Sequence, residues 1–423
     1  MPPSSFTIRG ARLWDGAKPS ESTDVTVRDG RFDAVSTASA SVGSTTENDI
    51  DARGLWLVPG FVDTHAHVAW NDFDASERDA RTAEERDAAT RRTLQTMRAA
   101  GVTSARDAGG ADRSIRALHD KEALGPRLQI SVELLDRDRV DTMGGIGPAI
   151  DAMLEAGADW IKLVATGGVA SPAGSQLISH FTASEFALAV RLAADAGARV
   201  MVHAWGGEAV THALDAGAAS IEHGIFLTPD QARLGAERAA VLVPTLHIYR
   251  LVQAMIAAGR LPAAFGARVA EAVEAHPAAV RRARDAGMAI AMGSDFSTPE
   301  QHGTNLREIA ELRRAGLDAD EALVAATRTG ARLLAGGSRD AGAAEALDLA
   351  GRISPGARAD AVLLRADPSR ADTFWDPDVV VGVVQDGHLV PRHPLADAAA
   401  PDDSPAPLPR TTRPHSDPER SIP

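Results

Sequence analysis

The chain predicts an α/β fold, a (β/α)8 TIM-type barrel carrying a small β-sandwich built from both chain ends. Three observations lead there. Short apolar runs alternate with Ala-rich helical stretches from about Leu57 to about Gly336, the pattern of a parallel sheet wrapped by helices. Five helical stretches end in Ala-Gly directly before such a run, in RAAGVTS, EAGADWIKL, DAGARVMVHA, DAGAASIEHG and DAGMAIAMGSD. Glycine just past a helix is the usual left-handed cap before a strand. Finally, a hairpin pattern lies near each end, with Asp29-Gly30 in one and Asp386-Gly387 in the other, the dipeptide a type I′ turn prefers.

In order, DVTVRDGRFDAV alternates apolar and polar residues around its turn, and VVVGVVQDGHLV repeats the pattern far away. The two hairpins read either as one β domain assembled from both ends or as two unrelated edge hairpins. Between them the candidate strands are LVPGFVDTHAH, GVTSARD, RLQISV, DWIKLVATG, RVMVHA, ASIEHG, VLVPTL and AIAMGSD, eight in all. Eight βα units over roughly 280 residues match a TIM barrel. The alternative, an open doubly wound sheet, would favour a GxGxxG after its first strand, and none follows here. The expected boundaries are residues 1–56 with 347–397 for the sandwich and 57–346 for the barrel. The Pro- and Ser-rich stretch 398–423 is expected to be disordered.

With 423 residues the chain can bury a large core. Its net charge of −14 disfavours nucleic acid and anionic membranes as partners. The absence of cysteine removes disulfides, thiolate metal sites and a cysteine nucleophile. No secretory signal or membrane-length apolar run is found, so a cytoplasmic location is expected.

The chemistry sits at the predicted strand ends. His65 and His67 close the first strand in VDTHAH. Residues two apart on a strand share a face, so both imidazoles can reach one ion. Lys162 lies inside apolar DWIKLVATGG. By itself it reads as a snorkelling or salt-bridged lysine; the sharper reading is an amine that has taken up carbon dioxide as a carbamate. His203 closes RVMVHA, His223 closes ASIEHG, and Asp295 closes AIAMGSD. Glu222 is expected on the face opposite His223 and is not counted among the ligands. A carboxylate at Asp295 can bind metal and take a proton from water, though Ser-Asp after a strand is also a common helix cap. Catalytic groups of such barrels come from the ends of several strands, and these six residues fall on strands 1, 4, 5, 6 and 8.

This constellation resembles the amidohydrolase superfamily. The stretches VPGFVDTHAH, IKLVATGGVASP and HAWGGEAVTHALDAGAASIEHG are similar to its prolidase-like (Xaa-Pro dipeptidase) and imidazolonepropionase-related branch. The resemblance implies that His65, His67 and Asp295 bind one metal, that His203 and His223 bind a second, and that carboxylated Lys162 bridges the two. It implies two divalent ions, zinc by default, and a metal-bridging hydroxide that cleaves an amide bond, with Asp295 as the catalytic proton acceptor. The substrate classes implied are dipeptides, N-acyl amino acids and small non-peptide amides or carbamates. Tyr249 and His302 match positions that touch substrate. The chain departs from the dipeptidase pattern after strand 3, where Ile146 follows Gly144-Gly145 in place of histidine; the contact to a dipeptide's carboxylate is lost there. A mononuclear deaminase or cyclic amide hydrolase is the competing enzymatic reading, opposed by Lys162. A non-catalytic barrel scaffold is the third, opposed by the retention of every ligand. A small-molecule substrate and a homo-oligomer are expected as partners.

Overall fold

The computed structural model describes residues 5–38, 49–72, 75–336 and 349–390. The predicted tail beyond residue 397 lies outside them. From the N-terminal end, β1 (Ser5–Trp14), β2 (Pro19–Arg28) and β3 (Arg31–Thr37) form an antiparallel meander. Then β4 (Ile50–Asp51) and β5 (Trp56–Pro59) run parallel to β1. Next come β6 (Phe61–Ala66), β7 (Val102–Asp107), β8 (Arg127–Gln129), β9 (Leu134–Leu135) and β10 (Trp160–Val164). They are followed by β11 (Arg199–Ala204), β12 (Ser220–His223), β13 (Val241–Val243) and β14 (Ala289–Ile290). Pairing from β6 to β14 is parallel throughout. Finally β15 (Ala361–Leu364), β16 (Val380–Gln385) and β17 (His388–Leu389) pair antiparallel.

Both chain ends enter one eight-stranded sheet, because β15 pairs with β5. Asp29 and Gly30 both have positive φ, as do Asp386 and Gly387, as type I′ turns require. The two turns abut: a Cβ on Gly387 would lie 2.6 Å from the Gly30 Cα, so the close approach demands glycine there. The hairpins are thus parts of one sheet and not unrelated edges. Ile8, Val25, Val27, Phe32, Leu57 and Leu363 lie in its apolar core.

All eight expected barrel strands are present, with the short β9 added between the third and fourth. Glycines 101, 157, 197, 217 and 287, which end the Ala-Gly helices, take positive φ. Ladder pairing stops short of the closed ring the sequence predicts. It draws two parallel arcs, β6-β7-β8 and β9 through β14. The third and eighth strands are cut to Arg127–Gln129 and Ala289–Ile290, so their far ends have too little regular backbone for a ladder. Single backbone hydrogen bonds span both gaps: Thr64 N to Met292 O (2.9 Å) and Asp295 N to His65 O (2.6 Å) at one, Asp159 N to Ile130 O (2.8 Å) at the other.

Between the arcs lies packed apolar matter, including Val62, Trp160, Met201 and Val243. Helices cover their outer faces, burying Ile150, Phe186, Leu214 and Val280. Capping boxes at Thr82, Thr182 and Thr228 start the helices that follow β6, β10 and β12. These caps fix the lengths of the loops that carry the site.

Candidate metal centre

In the parallel ladder Val164 pairs with His203 and His203 with Glu222. Paired residues of neighbouring strands share a face, and so do residues two apart. Lys162, His203 and Glu222 therefore point the same way, into the space between the arcs. Strict alternation would turn His223 outward. Its φ of 69°, in the left-handed region, breaks the alternation and swings the imidazole back, where its ring lies 4.6 Å from that of His203 and 5.2 Å from that of His65. Thr245 and Asp295 also take positive φ, at 53° and 56°. Non-glycine residues in this region are strained, and such strain gathers at functional sites.

Asp295 Oδ1 lies 3.3 Å from His65 Nε2 and 3.2 Å from His67 Nε2. The donor atoms of these three residues all fall within 4.8 Å of one another. Burial alone would raise Asp295, but the imidazoles of His65, His67 and His223 hold it well below the usual carboxylate range. Lys162 Nζ is 3.4 Å from His65 Nε2. Burial pushes this ammonium down to about 8, against the pull of Glu222 and Asp295. His203 Nε2 is buried and has no hydrogen-bond partner. Burial, with Lys162 adding to it, takes His203 down to about 3.

Each imidazole has a distinct anchor on its other nitrogen. His65 Nδ1 meets Glu222 Oε2 at 2.6 Å, and Glu222 Oε1 accepts from Arg106 Nη2 at 2.9 Å and from Ser220. Arg106 also donates to the Thr64 carbonyl at 2.6 Å and lies over the Trp160 ring. Burial would raise Glu222, but Arg106 and His65 hold it at about 2, so it is a carboxylate and the His65 proton sits on Nδ1. His67 Nδ1 meets the Gly109 carbonyl at 2.8 Å, and its ring stacks on Trp70. His223 Nδ1 meets Thr245 Oγ1 at 2.8 Å. In each case the Nε2 edge is left for a ligand.

The structure thus brings His65, His67, Lys162, His203, His223 and Asp295 together. Tyr249 is buried with its ring 5.9 Å from that of His223, and burial lifts its hydroxyl well above the usual tyrosine range. His302 is buried beside His67, and burial takes it down to about 3. Ile146 starts the helix Ile146–Glu155 directly after Gly145, so Gly144-Gly145 leads into a helix and presents no imidazole. Sequence reasoning missed the Arg106–Glu222 pair. A charged residue inside the short strand GVTSARD was the available signal, the same kind that marked Lys162.

A model of the amidohydrolase family matches residues 56–390. A protein of Mycobacterium tuberculosis is 30% identical over 283 residues, covering 64% of this chain and 73% of its own length. Imidazolonepropionase of Mycolicibacterium smegmatis is 28% identical over 403 residues, covering 86% and 90%. A crystal structure of a prolidase complexed with N-methylphosphonate-L-proline superposes with a TM-score of 0.80 at 26% identity, covering 92% of this chain and 100% of that one. No helix among the described residues is long and apolar enough to cross a membrane. With a family match over most of its length and histidine, aspartate and lysine side chains converging at its strand ends, this chain belongs to the amidohydrolase family of metal-dependent hydrolases.

Proposed function

We propose that the chain hydrolyses an amide bond at a centre of two divalent ions. The observation that carries this reading is the meeting of four imidazoles, one carboxylate and a buried lysine, with His203 Nε2 left without a partner. A donor set of nitrogen and oxygen atoms suits zinc, and also manganese, cobalt or iron. His65, His67 and Asp295 would hold one ion, and His203 and His223 the other. Lys162 would join the two as a carbamate: its neutral amine adds to carbon dioxide, forming an N–C bond and releasing one proton. The depressed Lys162 favours that addition. In the same reading the two arcs close into a (β/α)8 barrel over residues 57–346. The terminal sheet is then the sandwich of 1–56 with 347–397.

Bound metal would supply Lewis acidity and lower the pKa of water to about 7. The remaining work falls to side chains. Asp295, ionised by its imidazole neighbours, takes the proton of the attacking water and passes it to the amide nitrogen as the C–N bond breaks. The products are a carboxylate and an amine. Tyr249 stays protonated and can donate to the substrate oxygen. Replacing Asp295 with Asn should abolish turnover with metal largely retained; an active D295N protein refutes the assignment.

A mononuclear deaminase or cyclic amide hydrolase is the second reading. It is favoured by the fact that His65, His67 and Asp295 make the one tight metal-binding group among the described residues. Elemental analysis separates the two: two metal equivalents per chain support the binuclear hydrolase, and one supports the alternative. A cytoplasmic location and self-association belong to the same proposal, the latter tested by sedimentation.

A further inference from the structure

A backbone carbonyl shut away from water needs a donor, and at His223 the neighbouring strand is poorly placed to give one. β12 pairs with β13 as far as Glu222 opposite Val243. One step further the register sets Pro244 beside His223, and proline has no N–H for a ladder. The donor that meets the buried His223 carbonyl is a side chain, His276 Nε2, at 2.9 Å. It comes from the helix Gly266–Asp285.

His276 is out of place on that helix by composition. It shares the buried face with Val269, Ala272, Ala279, Val280 and Ala283, an apolar stripe at helical spacing. The residue is 1% exposed, its ring packs edge-on against Tyr249 at 5.4 Å, and its Nδ1 has no hydrogen-bond partner among the described residues. A polar ring is costly in such a place unless it is bonded, and the bond it makes goes to His223. A carbonyl only accepts, so the proton of this imidazole sits on Nε2.

His223 is thus gripped twice, at its imidazole Nδ1 by Thr245 Oγ1 (2.8 Å) and at its carbonyl by His276. Its backbone separates two settings of the ring. At a φ of 69° the imidazole faces His203; in extended backbone, strict alternation would turn it outward. Left-handed backbone at a residue other than glycine is strained and persists only where surrounding contacts impose it.

We infer that His276 is a positioning residue: its hydrogen bond to the His223 carbonyl holds the left-handed backbone that keeps the His223 imidazole in the metal centre. The consequence for the second ion rests on the two-ion reading above; the backbone conformation does not. Without the donor, a buried acceptor is left unsatisfied at a cost comparable to the strain itself, and the left-handed setting loses its compensation.

The test compares full-length wild-type, H276L and H276Q proteins. Both replacements are unbranched at Cβ because Pro277 follows and crowds the residue before it. In a crystal structure of metal-free H276L, His223 should return to negative φ with its ring turned away from His203. Zinc titration against a chromogenic chelator should show the second-ion affinity of H276L reduced about tenfold to a hundredfold, with the first ion retained. H276Q, whose amide N–H can reach the carbonyl, should keep both ions. Val269→Ala opens the same helix face without touching the bond; it should lower the urea midpoint and keep both ions. A positive φ at His223 in H276L, an undiminished second ion, or an equal loss in V269A overturns the inference. If H276L does not fold, H276Q takes its place: His223 should keep its positive φ there, and an extended His223 overturns the inference. Wild-type protein that takes up a single ion sinks the two-ion reading, and the backbone of His223 in the metal-free variant still decides the role of His276.

Discussion

His65 and His203 both stand on strands of the parallel arcs and both turn an Nε2 toward the same cluster, yet they are held very differently. His65 is clamped from behind by a carboxylate that is itself fixed by a buried guanidinium and a hydroxyl. His203 has a backbone carbonyl, that of Gly167, on one nitrogen and nothing on the other. The first imidazole is thus oriented by a charged network, the second by a single neutral carbonyl. A charged anchor behind an imidazole fixes its tautomer and raises its basicity; a neutral one does so weakly.

That contrast can be broken from the strong side first. Glu222→Ala leaves Arg106 buried without its partner, and such a break costs about 3–5 kcal/mol; chemical denaturation should register it directly. Glu222→Gln keeps the shape and removes the charge. It should weaken metal binding about tenfold to a hundredfold, measured by competition with a chromogenic chelator, while a Lys162→Ala protein should lose one equivalent of the two. On the weaker side, Thr245→Ala removes the hydroxyl beside His223 Nδ1. It should lower metal affinity by less than Glu222→Gln does; an equal or larger loss would erase the distinction drawn between the two halves.

The smallest effect is a change of slope with pH. His302 titrates near 3 when folded, against an ordinary value of 6.5. As pH falls below about 6.5 the unfolded chain takes up this proton first, so stability is lost progressively down to about 3. In metal-free protein the His302→Gln variant should shed that dependence, up to about 1.4 kcal/mol per pH unit. Urea midpoints at pH 6.5 and 5 compare the two proteins; parallel slopes would mean that His302 is not held neutral.

The strand ends were legible because each combines an apolar run with a residue that does not belong in one. His67, Lys162, His203 and Asp295 all announce themselves this way. The terminal sheet was half legible: both Asp-Gly turns were visible, but nothing local in either hairpin says that it packs against the other. Glu222 was set aside by an argument that assumed a regular strand, and the backbone at His223 is not regular. Positive φ at a β-branched or charged residue leaves no mark in sequence, since the conformation is imposed by surrounding contacts. Closure of the ring was expected from eight repeats, yet the third and eighth strands have too few extended residues to ladder.

The pairing of Pro59 with Ala361 across β5 and β15 carries a consequence for biosynthesis. The inner strand of the terminal sheet has an open hydrogen-bonding edge until both parallel arcs have left the ribosome. An open edge is a template for pairing with other chains. Any nascent or truncated product ending before β15 presents that edge, and aggregation should rise sharply for truncations that stop between β14 and residue 361.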